Sequence, residues 1–171
     1  MKKNTKIVYK GFLTIKKLFI NNNNYDILIQ KNAVAALILD KKNKYLLVEQ
    51  FRPALMKNTL EIPAGIMDKK NLSPIQTMLQ ELKEEAKINL SEKKLKILIK
   101  YHPQIGISKT TVTIFFCKIN IIGKNTNIKN DDVKKTKWIS EKKLLNKIKN
   151  KKITDSKTLM AYFYYKKNNT L

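Results

Sequence analysis

The sequence predicts one mixed α/β domain of the α+β type, and three observations lead to that prediction. The chain has 171 residues, which suits a single compact domain. Strand-like segments follow one another in the first third of the chain without helices between them, which argues against a doubly wound parallel sheet. An amphipathic helix occupies the middle of the chain, and two further helical segments close it.

The strand-like segments are rich in Ile, Leu, Val, Tyr and Phe, and they are bounded by Asn runs and other turn residues. In the first half they comprise residues 6–10, 12–20, 25–30, 33–39 and 45–51, with a short extended piece at 59–62. In the second half they comprise residues 95–101, 110–119 and 135–139. Strands therefore flank the central helix on both sides.

The central helix has a clear start signal. Ser73 suits the N-cap, and Pro74 suits the first helical position, where its missing N–H does no harm. Apolar residues then recur at three- and four-residue spacing and predict one buried face: Ile75, Met78, Leu79, Leu82 and Ala86. The closing helices are predicted at 141–147 and 155–165, the second capped by Thr154 or Asp155.

The net charge of +23 raises nucleic acid or an anionic membrane as a partner. However, Arg52 is the only arginine among the 36 basic residues. Proteins that read phosphates or bases usually exploit the bidentate arginine fork, which lysine lacks. We therefore interpret the lysine excess as a general bias of the composition and not as a binding patch. Nucleic acid is not expected to be the primary partner.

Cys117 is the only cysteine, so no disulfide can form within one chain, and a reducing, cytoplasmic compartment is expected. The longest apolar runs, such as residues 33–39, fall far short of the roughly 20 residues that a membrane helix needs. We therefore expect no membrane partner. The basic N-terminus leaves an organelle-targeting segment open as an alternative.

Three carboxylates cluster on the central helix. Glu81, Glu84 and Glu85 lie at i, i+3 and i+4, so their side chains can point to one side of the helix. A solvated acidic face is one interpretation. The other is a site for a hard divalent cation such as Mg²⁺, which prefers oxygen ligands and often shares them with substrate phosphates.

Gly65 and the later segment QELKEEAKI (80–88) resemble the Nudix box, G-x5-E-x7-R-E-U-x-E-E-x-G-U with U aliphatic. The segments around the box resemble one branch of that family, the ADP-ribose pyrophosphatases. They are GFLTI (11–15), LLVEQFRP (46–53), LEIPAG (60–65), YHPQIGIS (101–108), WI (138–139) and KITDSKTL (152–159). The similarity thus runs through nearly the whole chain.

The resemblance implies a Nudix-like mixed β-sheet sandwich with a central catalytic helix. It places an N-terminal, dimerising strand region at residues 1–32 and the hydrolase domain at 33–171. It assigns catalytic roles to Glu81, Glu84 and Glu85, with metal ligands from Glu81, Glu85 and the Ala64 carbonyl. Substrate contacts would come from three residues: Arg52, Glu61 and Ile66.

The activity implied is Mg²⁺-dependent cleavage of the pyrophosphate of ADP-ribose or a related nucleoside diphosphate sugar, giving AMP and a sugar phosphate. Mn²⁺ could replace Mg²⁺. The implied partners are this small-molecule substrate and a second copy of the chain.

The chain departs from the box at several positions. Gln80 lies 15 residues after Gly65, one more than in the pattern, so the first box Glu falls on Leu72. Gln80 replaces the box Arg, Lys87 replaces the last Gly, and the loop at 108–111 carries no acid for a general base. We interpret the chain as a hydrolase weakened by these changes. The alternative is a catalytically impaired binding or assembly module, with nucleotide or RNA as its ligand.

Overall fold

The computed structural model describes residues 4–128 and 133–169. Residues 1–3, where the sequence leaves a targeting segment open, lie outside the described residues. The described strands are β1 (Asn4–Lys10), β2 (Thr14–Ile20), β3 (Asn23–Ile29), β4 (Ala33–Leu39), β5 (Tyr45–Arg52), β6 (Lys57–Glu61), β7 (Ala64–Ile66), β8 (Lys96–Tyr101), β9 (Val112–Lys118), β10 (Thr126–Asn127) and β11 (Val133–Ile139). The helices are α1 (Pro74–Ala86), α2 (Glu141–Lys149) and α3 (Ser156–Asn169).

Within this described part, the strands form two sheets. The N-terminal sheet has the antiparallel order β1-β2-β3. The eight-stranded sheet runs β10-β11-β5-β4-β9-β8, with β6 added to β5 and β7 added to β4. Because β4 and β9 are parallel while the other pairs are antiparallel, the sheet is mixed and the predicted α+β class is confirmed.

Strand β4 separates two apolar cores, because successive side chains of a strand point to opposite faces. One core contains its odd-numbered residues and side chains of α2 and α3, and the other contains its even-numbered residues and side chains of α1. The eight-stranded sheet therefore lies between α1 on one face and α2 with α3 on the other. This arrangement fixes α1 against β4 and β7, where the candidate site lies.

Helix α1 begins as predicted. The Ser73 hydroxyl accepts a hydrogen bond from the Gln76 backbone N–H at 3.3 Å, and the Gln76 side chain accepts one from the Ser73 N–H at 3.0 Å. This reciprocal capping box satisfies two backbone donors that the first turn would leave unpaired. Of the two caps predicted for α3, Asp155 is the one observed, because its Oδ2 accepts the Thr158 N–H at 2.9 Å.

Two short strands differ from the sequence prediction. Strand β7 (Ala64–Ile66) has three residues and β10 (Thr126–Asn127) has two, which is too short for a periodicity to be recognised.

None of the helices in the described part of the chain combines the length and apolar character needed to span a bilayer.

Candidate active site

Glu85 lies on the buried face of α1, against β7. The residue is 6% exposed, and its Oε2 accepts a hydrogen bond from the Ala64 backbone N–H at 3.2 Å. Burial raises the pKa of Glu85, the Ala64 hydrogen bond partly opposes that rise, and the negative charge of Glu81 adds to it, giving a pKa of about 8. In the absence of a cation, this carboxyl therefore keeps its proton at neutral pH.

Glu81, one helical turn before Glu85, packs directly against Gly65. A Cβ atom at Gly65 would lie 2.0 Å from Glu81 Oε1, so no larger residue fits there unless Glu81 moves. The glycine is needed for this close approach of a side chain to the backbone of β7.

Glu84, the third predicted carboxylate, is exposed. Its Oε1 accepts a hydrogen bond from Gln80 Nε2 at 2.6 Å. Within residues 4–128 and 133–169, no three His, Cys, Asp or Glu side chains converge in a way that could hold a metal ion. The three glutamates therefore do not form one cluster, and the arrangement here is a pair, Glu81 and Glu85, with Glu84 beside it.

Arg52 and Glu61 form a bidentate ion pair across β5 and β6. Arg52 Nε donates to Glu61 Oε1 at 2.8 Å, and Nη2 donates to Oε2 at 2.5 Å. Thr59 Oγ1 donates to Oε1 at 2.6 Å. Glu61 is 3% exposed, and although burial acts to raise its pKa, the Arg52 hydrogen bond and the charge of Lys157 lower it to about 2. The Glu61 carboxylate stays ionised and orients the Arg52 guanidinium. The positive charge of Arg52 in turn acts to lower the pKa of Glu85.

Lys157 and Asp155 complete this site from α3. Lys157 Nζ lies 3.3 Å from Glu61 Oε2 and 2.5 Å from Asp155 Oδ1. Neither residue was predicted from the sequence to belong to the site. The available signal was the resemblance of residues 152–159 to the family pattern, but periodicity could not show that a helix starting at Ser156 would contact β6.

Ile66 continues β7 beyond Gly65 and lines an apolar cavity of about 570 Å³. The cavity lies between the end of the N-terminal sheet and the loop that joins β8 to β9. Its other lining residues include Phe12, Leu13, Ile29 and Pro103. Ile66 thus belongs to the short strand against which Glu81 and Glu85 pack.

Comparison with known proteins then identifies the family. A model of the NUDIX domain matches residues 29–162, which is more than half of the chain. The chain belongs to the Nudix family. Its resemblance to the ADP-ribose pyrophosphatase branch is confirmed by one curated relative of that name.

The ADP-ribose pyrophosphatase of Bacillus subtilis (strain 168) is 26% identical over 140 residues, covering 81% of this chain and 74% of the relative. A methanol dehydrogenase activator of Bacillus methanolicus is 30% identical over 142 residues, with the same two coverages. The crystal structure of an ADP compounds hydrolase superposes with a TM-score of 0.77 at 15% identity, over 98% of this chain and 94% of that one. This structural match supports the Nudix fold.

The departures from the Nudix box have visible structural consequences. Gln80 occupies the position of the box Arg, and its side chain donates a hydrogen bond to Glu84. This hydrogen bond therefore supports the exposed Glu84 and not the buried Glu85. Leu72 lies in the turn before α1, where its N–H donates to the Lys69 carbonyl at 3.3 Å. Lys87 ends α1 in the left-handed region with φ of 56°, the conformation that glycine would adopt at lower cost.

The loop between β8 and β9 is held by polar contacts but carries no acid. Ser108 and Thr110 are buried, and their hydroxyl oxygens lie 2.7 Å apart. His102 is exposed, and its Nδ1 lies 3.1 Å from the Thr110 carbonyl oxygen. Because a carbonyl only accepts, Nδ1 is the donor of this hydrogen bond.

The Nudix site suits a hard divalent cation. Glu85 is a buried carboxyl next to a second carboxylate, an arrangement that is unfavourable unless a proton or a cation neutralises it. Carboxylate oxygens are the ligands that Mg²⁺ prefers, and Gly65 provides the space that Glu81 occupies. The residues present therefore fit the metal that the family implies.

Proposed function

We propose that this Nudix protein is a Mg²⁺-dependent hydrolase that cleaves the pyrophosphate of ADP-ribose or a related nucleoside diphosphate sugar, releasing AMP and a sugar phosphate. The observation that carries the proposal is the pair Glu81 and Glu85 packed against β7, with the pKa of Glu85 raised to about 8. Groups with strongly shifted pKa values concentrate at functional sites.

Glu81, Glu85 and the Ala64 carbonyl would hold the cation. A bound Mg²⁺ or Mn²⁺ would polarise the phosphoryl oxygens and make water a better nucleophile. Water adds to one phosphorus, the bond from that phosphorus to the bridging oxygen breaks, and the bridging oxygen leaves with the other phosphate. Arg52, held by Glu61, would bind the pyrophosphate through its planar cation, and Ile66 and its cavity would contact the nucleoside.

The departures predict slow turnover. The loop between β8 and β9 offers no carboxylate as general base, and such a base typically contributes about 10²- to 10⁴-fold. The named relative from Bacillus subtilis supports the substrate class. Because this relative is 26% identical to the chain, the proposal includes other nucleoside diphosphate sugars as substrates.

The test is a substrate panel with purified protein and Mg²⁺, in which products are identified by chromatography. We expect AMP from ADP-ribose or a related compound, and Glu85→Gln should abolish its release. The control is Glu92→Gln, an exposed acid outside the site, which should retain wild-type activity. Full activity in Glu85→Gln would overturn the role of the carboxylate pair.

A second candidate function is a Nudix-fold regulatory or assembly module with weak or no catalysis. It is favoured by the relative named a methanol dehydrogenase activator and by the changes at Leu72, Gln80 and Lys87. Calorimetric binding of ADP-ribose without turnover in Mg²⁺ or Mn²⁺ would support this function. RNA binding predicts affinity that survives moderate salt, whereas loss between about 50 and 200 mM salt would indicate counterion release alone.

Two further proposals concern the cellular compartment of the protein and the division of the chain into regions. The single, buried Cys117 suits a reducing compartment, and we place the protein in the cytoplasm. We also propose that residues 1–32 form a dimerising region and 33–171 the catalytic domain, because residues 5–10 of β1 are exposed and β1 pairs with β2 alone within the N-terminal sheet.

A further inference from the structure

A cluster of four charged side chains joins α3 to the strands that carry the candidate substrate residues. Arg52 and Glu61 come from β5 and β6, while Asp155 and Lys157 come from the cap and first turn of α3. Glu61 and Asp155 are largely buried, and Lys157 Nζ bridges their carboxylates. Two cations and two anions make the cluster electrically neutral.

The position of Lys157 is not explained by the docking of α3 alone. Asp155 Oδ2 already caps the helix by accepting the Thr158 N–H, and Thr158 Oγ1 accepts the Ile62 N–H at 2.9 Å. The apolar core already contains Ala161 and Tyr162 of the same helix. A partly buried ammonium carries a desolvation penalty, and replacing a buried ion pair by apolar groups is often neutral or stabilising. A lysine here therefore calls for an explanation beyond helix docking.

The electrostatics of the charged cluster supply an explanation for the lysine at position 157. Glu61 Oε2 is shared by Arg52 Nη2 at 2.5 Å and Lys157 Nζ at 3.3 Å. Without Lys157, the cluster would hold two carboxylates against one guanidinium and would carry a net negative charge. That charge would lie where a pyrophosphate has to approach Arg52, whose side chain is 37% exposed.

We propose that Lys157 is a positioning residue for substrate binding: it holds Glu61 Oε2 and neutralises the cluster, so that the Arg52 guanidinium stays oriented and available for the substrate pyrophosphate. Lys157 acts through Glu61 and Arg52. This inference rests on the proposed function, since it takes Arg52 as the group that contacts the substrate.

The test compares Lys157→Met, Lys157→Arg and the double variant Lys157→Met/Asp155→Asn in steady-state kinetics with Mg²⁺. Lys157→Met should raise KM on the order of 10-fold with kcat changed by less than about 3-fold, since charge coupling of this kind is worth a factor of this size. Lys157→Arg should restore KM. The double variant should recover most of the loss, because asparagine still caps α3 while cluster neutrality returns.

A raised KM with a nearly unchanged kcat and an unchanged thermal midpoint is the outcome that a purely structural role would not give. Thermal midpoints are measured for each variant, and Lys157→Gln replaces Lys157→Met if the latter does not fold. Wild-type KM in the Met or Gln variant, or no recovery in the double variant, would overturn the role of Lys157. A wild-type protein that neither turns over nor binds any nucleoside diphosphate sugar would instead overturn the proposed function, and this inference with it.

Discussion

At the scale of single residues, Glu85 combines two properties that conflict in the metal-free protein. Its carboxyl is buried against β7, and a second carboxylate, Glu81, lies one turn away on the same helix. Native carboxyl groups usually ionise at neutral pH, whereas this one retains its proton up to a pKa of about 8. The burial of this carboxyl destabilises the fold at the pH at which a cation would bind. Functional sites commonly lower the stability of a protein in this way.

Glu85→Gln should therefore stabilise the metal-free protein. The native carboxyl binds its proton more tightly than the unfolded one, so the contribution of Glu85 to stability is greatest below about pH 4.5 and falls as the pH rises toward about 8. At pH 7 the loss is about 3 kcal/mol, and Gln avoids it. Urea unfolding with chelator at about pH 5 and pH 8 measures this.

The same experiment with Mg²⁺ adds a second expectation. Cation binding requires the ionised carboxylate, so Mg²⁺ should stabilise the wild type more at about pH 8 than at pH 6 and should stabilise Glu85→Gln less. Equal pH dependence in wild type and variant would show that Glu85 does not titrate as described.

The residues of the site were not equally predictable from the sequence. The pair Glu81 and Glu85 could be expected because a helix brings i and i+4 together, whereas Arg52 was expected from the family resemblance, with which its being the only arginine is consistent. Lys157 reaches Glu61 across a separation of 96 residues, so no local pattern announces the contact. The exposure of Glu84 could not be foreseen either, since the helical position permits either orientation.

At the scale of elements, α1 was predicted with its start and its buried face because both depend on local sequence. Ser73, Pro74 and the apolar spacing act within a few residues of each other. The end of the helix is less favourable, because Lys87 occupies the left-handed region that suits glycine. Strands β7 and β10 were missed because their pairing with β4 and β11 is a tertiary event.

Lys87→Gly should stabilise the protein by about 1 kcal/mol. A residue with a Cβ pays roughly 1–2 kcal/mol in the left-handed region, and the greater freedom of glycine in the unfolded chain removes part of that gain. Lys83→Gly, on the exposed side of the same helix, is the matched control and should destabilise by about 1 kcal/mol. Guanidinium unfolding midpoints measure both, and a destabilised Lys87→Gly would contradict the conformation assigned to residue 87.

At the scale of the whole molecule, the N-terminal sheet leaves several large apolar side chains exposed in the described part of the chain. Ile7, Tyr9 and Phe19 are each at least 40% exposed, and Phe12 is 92% exposed. The sheet is joined to the rest of the fold by the Leu28 N–H, which donates to the Ile107 carbonyl at 2.8 Å. Large exposed apolar side chains grouped on one sheet are typical of interaction sites, while the charge of +23 opposes association of two copies.

These two properties predict a homodimer whose association strengthens with salt. Light scattering after gel filtration should give about twice the chain mass of 20.0 kDa, and the dimer fraction at low protein concentration should rise as salt screens the repulsion between two basic chains. Ile7→Asp should shift the protein to monomer, because it places a charge in the apolar surface. Asn24→Asp, an exposed polar position of the same sheet, should leave the dimer intact. A wild type that stays monomeric across the salt series would show that the exposed sheet does not pair with a second copy.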